Sequence, residues 1–382
     1  MRAFASPSGG LGFPQSGSAS LRSRRYAPSK SPSRIARELG EALGHVPILQ
    51  LRRLSRICED HRIFVKLEAC NPGGSIKEKN AAFLINEAES SGRLMPGGTI
   101  VESSSGNFGI GLAMIGAARG YSVVIVVDAK TPPPMRRLLR AYGAKLIDVP
   151  LSEADAEGSM QVARMNRAKA LSEEIRGAWY PCQHLNPLNP EAHYDFTARE
   201  IDSAFGSSLD AIVVGVSTAG QLAGIGKYIR RVHPKIKLVA VDVAGSAILG
   251  TPRHSYKMTG IGLSFIPPNF DASLVDAAYS VSDAVAFSVC RTLALREGLL
   301  LGASTGAIAA AALAYAHSFA TPQRIVLVNP DRGDRYLETV FDDEWIAAQH
   351  VELLCGENLE RAYQTLRPVA HELIRSGAGA AS

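Results

Sequence analysis

Residues 97–128 read GGTIVESSSGNFGIGLAMIGAARGYSVVIVVD, and their reading decides the fold. GGTIVESSS gives a strand. NFGIGLAMIGAARG gives a small-residue helix that ends at Gly120. YSVVIVVD is an unbroken apolar run. A strand without polar alternation is buried on both faces, as in a parallel sheet covered by helices. Strand, helix and strand in this order predict a βαβ unit.

The same alternation continues outward in both directions. PPPMRRLLRAYG (132–143) opens with prolines and closes with a glycine, the asymmetry of a helix, and AKLIDVP (144–150) is the next strand. Toward the N-terminus a helix is predicted over about 77–92, a strand in HRIFVKLEA (61–69), and a short helix before HVPILQLRRL (45–54). After AWYPCQHLNPLNPEAHYDFTAREI (178–201) a second set begins. LDAIVVGVS and IKLVAVDV are strands flanking the helix AGQLAGIGKYIRRVHP. A loop-rich stretch covers 245–272. AAYSVSDAVAFSVCRTLALREG holds a short strand and a helix, LLLGASTGAIAAAALAYAHSFA a loop and an alanine-rich helix, and RIVLVNPDRGDRYLE a last strand and turn. Terminal helices are expected over 345–378. The fold class is α/β, with two three-layer α/β/α domains, mostly parallel sheets and a cleft between them. The expected division is a disordered tail at 1–40, a segment at 41–75 packing on the larger domain, a smaller mobile domain at 76–185, a larger domain at 186–345 and a helical extension at 346–382.

Composition narrows the function classes. The whole chain carries a net charge of +5. Arg2, Arg22, Arg24, Arg25, Lys30, Arg34 and Arg37 precede the first acid, so those seven charges leave −2 on the rest. A near-neutral body gives no reason to expect nucleic acid as a partner. The Ser-, Gly-, Pro- and Arg-rich leader lacks the apolar surface to fold, and without an apolar h-region it is not a secretory signal. It reads as a plain tail or an early start codon rather than a transit peptide. No apolar run reaches the roughly 18 residues of a membrane span. Cys58, Cys70, Cys182, Cys290 and Cys355 are scattered and form no CxxC pair. That fits a reducing cytoplasm rather than a disulfide framework or a zinc site.

The chemistry concentrates in four loops. Asn71-Pro72-Gly73-Gly74-Ser75-Ile76-Lys77-Glu78-Lys79-Asn80 closes a glycine turn at the head of a helix. A lysine is poorly placed there for stability, because the macrodipole favours negative charge. A cation at that point suits a cofactor with an aldehyde and a phosphate. Desolvation and the positive helix end would lower its pKa and leave an amine able to form a Schiff base. From this loop alone, a surface lysine in a turn stays open. Three further loops, Glu102–Asn107, Val216–Gly220 and Gly302–Gly306, each place N–H groups and hydroxyls at a helix N-terminus beyond a strand. That is how α/β proteins hold phosphates and carboxylates, at the edge where such sheets bind ligands. Walker A is absent, and Gly109 and Gly111 lack the third glycine of a dinucleotide fingerprint. His184, His193, His233 and His254 have no i,i+4 pairing and read as surface or packing residues, so no metal site is expected. Asp331–Tyr336 reads as a solvated turn with local ion pairs.

The motifs NPGGSIK (71–77), SSGN (104–107), STAG (217–220), GIG (260–262) and GASTG (302–306), in this order, resemble the fold-type II pyridoxal-phosphate enzymes of the cysteine synthase group, whose fold is tryptophan synthase β-like. The resemblance spans about Pro47 to Trp345. It implies pyridoxal 5′-phosphate as cofactor and Lys77 as the Schiff-base and catalytic lysine. Asn107 would bond the cofactor's 3′-oxygen. Ser217, Thr218, Ala219, Gly220 and Gln221 would form the phosphate cradle, with Gln221 standing where a threonine is usual. Ser304 would face the pyridine nitrogen. Ser104, Ser105, Gly106, Gln183 and Gly260 would meet the substrate. A serine does not protonate the ring as an aspartate would, which favours loss of a β-leaving group over a long-lived carbanion. The implied enzyme is a β-replacing transferase and a homodimer.

The sequence departs from ordinary cysteine synthases at Phe108, Gln221 and the Glu78-Lys79 pair, which makes sulfide less certain as the nucleophile. ESSSGNFGIGLAMI, VVDAKTPP and PDRGDRYLETVFDDEWI resemble a siderophore-pathway branch that joins O-phospho-L-serine to the amino group of L-glutamate, en route to 2,3-diaminopropionate. A cysteine synthase using O-acetylserine or O-phosphoserine is the alternative. An idle protein of this fold is disfavoured by the presence of Lys77, Asn107 and Ser304. Lys79, Arg136 and Arg332 are candidate cations for anionic substrates, but read first as ordinary surface charges.

Overall fold

The computed structural model describes residues 35–155 and 159–379. The leader up to residue 34, where most of the disordered-tail expectation falls, lies outside the described residues. Leu39–Ala42 already form a 3₁₀ turn, and Leu43 is fully buried.

Among the described residues, ten strands form two sheets. They are β1 (Ile48–Leu51), β2 (Arg62–Leu67), β3 (Thr99–Ser103), β4 (Ser122–Asp128), β5 (Lys145–Val149), β6 (Ala178–Trp179), β7 (Ala211–Gly215), β8 (Lys237–Val243), β9 (Ala277–Val281) and β10 (Arg324–Asn329). The six-stranded sheet has the order β1-β2-β10-β7-β8-β9, and the four-stranded sheet β5-β4-β3-β6. Every pairing is parallel except β1 with β2. β1 was not anticipated, because ILQL alternates weakly and ends in two arginines. β1 and β2 are integral strands of the six-stranded sheet, whereas Leu43 joins the core beneath the four-stranded one.

The apolar runs behave as parallel strands buried on both faces. In β4, Val123, Ile125 and Val127 enter one core, and Val124 and Val126 the other. In β7, Ala211 and Val213 face one layer, and Ile212 and Val214 the opposite one. Helices cover both faces, giving the expected mixed α/β layers. Helix Gln161–Glu174 and the π-helical turn His193–Ala198 were not anticipated. The C-terminal extension is packed: Tyr363 bonds Ser55 at 2.7 Å, Val369 N–H donates to Ala278 at 2.7 Å on the β9 edge, and Ile374 is buried. Among the described residues, no helix is long and apolar enough to cross a membrane, and no cluster of three metal-ligating side chains occurs.

Candidate active site

The lysine loop is built from within. Lys77 opens helix Lys77–Ser90. Glu78 turns back beneath the loop, where its carboxylate accepts from Gly73 N–H at 2.8 Å and Ser75 N–H at 2.7 Å. This anion at the helix start offsets the unfavourable placing of a lysine there. Ile76 N–H donates to Pro330 O at 2.8 Å, and Ser75 bridges to Asp331. The loop is thus stitched to the end of β10. Burial pushes the Lys77 amine down to about 8. That is the direction a Schiff-base lysine requires.

The phosphate loop follows β7. Ala219 adopts φ +59° at the N-cap of helix Gly220–Val232, which gathers the first N–H groups of that helix. Gln221 Nε2 is buried there without a partner. Beyond Gly302, Ser304 is 1% exposed and its Oγ is likewise unpartnered. A Cβ built on Gly260 would sit 3.4 Å from that hydroxyl, so the GIG loop closes over Ser304. A buried amide beside an anion cradle and a buried hydroxyl without a partner are the polar atoms that a phosphate and a ring nitrogen would satisfy. The residues therefore fit pyridoxal phosphate.

Asn189 joins these parts, and no motif pointed to it. Fully buried, it donates to Gln183 O at 2.8 Å and to Thr218 Oγ1 at 2.9 Å, and accepts from Asn80 Nδ2 at 2.9 Å. One amide therefore holds the lysine helix, the Gln183 loop and the phosphate loop together. Gly220 is required opposite it, since a Cβ there would lie 1.9 Å from Asn189 Oδ1.

A cavity of about 640 Å³ opens outside the loops. Ser105, Gly106, Asn107 and Gly260 are among its lining residues; Lys77 and Ser304 are not. Lys130, Arg164, Arg253, Lys257 and Arg335 line it against only two acids, Asp128 and Glu338. Arg164 is buried, pairs with Asp128 at 3.0 Å and keeps an unpartnered Nε. Its desolvation lowers its pKa, opposed by Asp128 and Glu102.

Several expectations need correction. Ser104 is buried, and its hydroxyl accepts from Gly109 N–H at 3.0 Å in the first turn of helix Asn107–Arg119. Gln183 is buried, and its N–H donates to Glu102. Lys79 is no surface charge. It is fully buried and pairs with Glu68 at 2.8 Å and Glu200 at 2.9 Å, beside Lys66. Arg136 pairs with Asp148, and half-exposed Arg332 lies against Gly74, both outside the cavity lining. The charge run 331–336 is not a solvated turn. Asp331 and Tyr336 are buried, and Arg335 donates to Asn107 Oδ1 and Gly73 O. His184 and His193 are buried packing residues, both held neutral by burial, at about 3. Phe108 is a core residue of the four-stranded layer. Glu78 and Lys79 are also turned into the protein, so none of Phe108, Glu78 and Lys79 lines the cavity.

Fold and loops together define a fold-type II pyridoxal-phosphate enzyme of the β-replacing kind. Residues 39–331 match the family model "Pyridoxal-phosphate dependent enzyme", and the chain belongs to that family. It is similar to N-(2-amino-2-carboxyethyl)-L-glutamate synthase of Cupriavidus metallidurans, at 37% identity over 82% of this chain and 92% of that one. It is 38% identical to a cysteine synthase of Staphylococcus aureus, over 79% of this chain and 97% of that one. Among solved structures, O-ureido-L-serine synthase superposes with a TM-score of 0.75 at 35% identity, covering 82% of this chain and all of that one.

Proposed function

We propose that the enzyme joins O-phospho-L-serine to the amino group of L-glutamate, releasing phosphate and forming N-(2-amino-2-carboxyethyl)-L-glutamate, a precursor of 2,3-diaminopropionate in siderophore biosynthesis. The observation that carries this reading is the cation-rich cavity outside Asn107. Both substrates are anionic, and five basic side chains against two acids suit them. The Cupriavidus relative's name supports the same reaction.

Bound pyridoxal phosphate supplies an electron sink at the α-carbon, which lets a β-substituent leave. Lys77 Nζ takes the proton from Cα, a task its lowered pKa suits. Ser304 Oγ would meet the ring nitrogen without charging it. Ser105 and Gly106, which line the cavity, would meet the α-carboxylate. Arg164 lies in the cavity wall as a cation for the leaving phosphate. The homodimer and the cytoplasmic setting belong to this reading by resemblance.

Sulfide as nucleophile is the second reading, favoured by the Staphylococcus relative's name. Purified protein given O-phospho-L-serine with glutamate, and separately with sulfide, distinguishes the two by mass spectrometry. The glutamate adduct and stoichiometric phosphate are expected. Cysteine alone as product overturns the reading, and turnover by Lys77→Ala overturns the whole mechanism.

A further inference from the structure

Asp331 sits where three loops of the site converge. Its backbone bridges to Ser75 of the lysine loop. Its carbonyl accepts from Gly302 N–H at 3.1 Å and from Asn329 Nδ2 at 2.7 Å. Its neighbours are stitched in as well, Pro330 O to Ile76 N–H and Arg332 N–H to Gly74 O. The side chain is 1% exposed. Its Oδ2 accepts from Tyr336 OH at 2.6 Å and from Asn107 Nδ2 at 2.7 Å. On the other side, Arg335 donates to Asn107 Oδ1 and to Gly73 O.

These partners fix the orientation of one amide. A carboxylate oxygen only accepts and a guanidinium only donates. Asn107 held between them has a single flip state: Nδ2 toward Asp331, Oδ1 toward Arg335. The reversed amide would face oxygen against oxygen and N–H against N–H. One Nδ2 hydrogen is committed to Asp331, and the second stays available to the cofactor ring.

We propose that Asp331 and Arg335 are positioning residues that lock Asn107 in the flip state presenting an N–H to the cofactor's 3′-oxygen, with Tyr336 holding Asp331 in place. The proposal rests on the reading of Asn107 as the ring contact, and is independent of which nucleophile follows. It also gives the dense charge run at 331–336 a role beyond local ion pairing.

The test uses the cofactor-loaded protein and four variants: Asn107→Ala, Asp331→Asn, Arg335→Gln and the double Asn107→Ala/Asp331→Asn. The readouts are the visible spectrum of the bound cofactor, which follows protonation at the ring oxygen, and cofactor affinity. Losing one oriented hydrogen bond is expected to weaken affinity about 3- to 10-fold. Asp331→Asn and Arg335→Gln should shift the spectrum in the same sense as Asn107→Ala, and the double variant should match Asn107→Ala alone. An additive double variant, or single variants that keep the parent spectrum, would overturn the lock. An unchanged spectrum in Asn107→Ala overturns the ring contact and the lock together, while leaving the β-replacement reading to product analysis. Arg335 is only half-buried. If Asp331→Asn does not fold, Arg335→Gln and Tyr336→Phe decide: a shifted spectrum supports the lock and a parent spectrum rejects it.

Discussion

Lys77 should destabilise the cofactor-free protein, and the size of the effect follows from its environment. Burial lowers its pKa from 10.5 to about 8. The amine is a base with a depressed folded-state pKa, so the cost applies to the charged form. That cost is complete below pH 8 and fades as pH rises toward 10.5, where the unfolded chain also loses its proton. At about 1.4 kcal/mol per pKa unit, the penalty is about 3 kcal/mol at pH 7 and about 1.4 kcal/mol at pH 9.5. Both are upper figures, since Lys77 keeps partial exposure. Lys77→Met keeps the length of the side chain and removes the charge. In urea unfolding of the cofactor-free proteins, the variant should be the more stable at pH 7, and its advantage should shrink by about half at pH 9.5. An advantage equal at both pH values would refute the argument, because packing alone carries no pH dependence. A variant no more stable at pH 7 would show that the amine is not desolvated.

Two further perturbations test the scaffold around it. Lys79→Met leaves buried Glu68 and part-buried Glu200 with only Lys66, and should cost about 3–5 kcal/mol in urea unfolding; Lys79→Met with Glu68→Gln should recover part of that loss, and no recovery would mean that the charge imbalance is not the cause. Gly220→Ala drives a Cβ into Asn189 Oδ1 and should displace the amide that holds Thr218. Cofactor affinity, measured by titration, should fall about tenfold or more for that loss of at least 1.4 kcal/mol, and unchanged affinity would remove Asn189 from the cradle.

What could be read from the chain was local. The four loops announced themselves because glycine, serine and helix starts are adjacent in sequence. The apolar runs of β4 and β7 gave the parallel sheets because burial on both faces leaves a mark in a single segment. Side-chain partnerships between distant segments leave no such mark. Asn189 bonds Asn80 and Thr218, residues 109 and 29 positions away. Lys79 meets Glu200 across 121 positions, and Arg335 meets Asn107 across 228. Lys79 and Arg335 read as ordinary surface charges, and nothing in the sequence marked Asn189. β1 escaped for a related reason: four residues of weak alternation become a strand only through antiparallel pairing with β2.

The same distinction changes how the choice of nucleophile should be argued. The motif departures at Phe108, Glu78 and Lys79 caught attention because they sit inside recognisable signatures. None of those side chains reaches the cavity. Phe108 packs in a core, Glu78 caps its own loop, and Lys79 neutralises buried Glu68. Specificity has to come from groups that contact a ligand, and for the proposed reaction those would be the cations of the outer cavity. Sulfide is small and needs neither the volume of that cavity nor a surplus of positive charge. A dicarboxylic amino acid uses both, since each carboxylate placed among the basic side chains is attracted and held in register. The cavity wall, and not the sequence signatures, is therefore what favours an anionic amino acid as the second substrate.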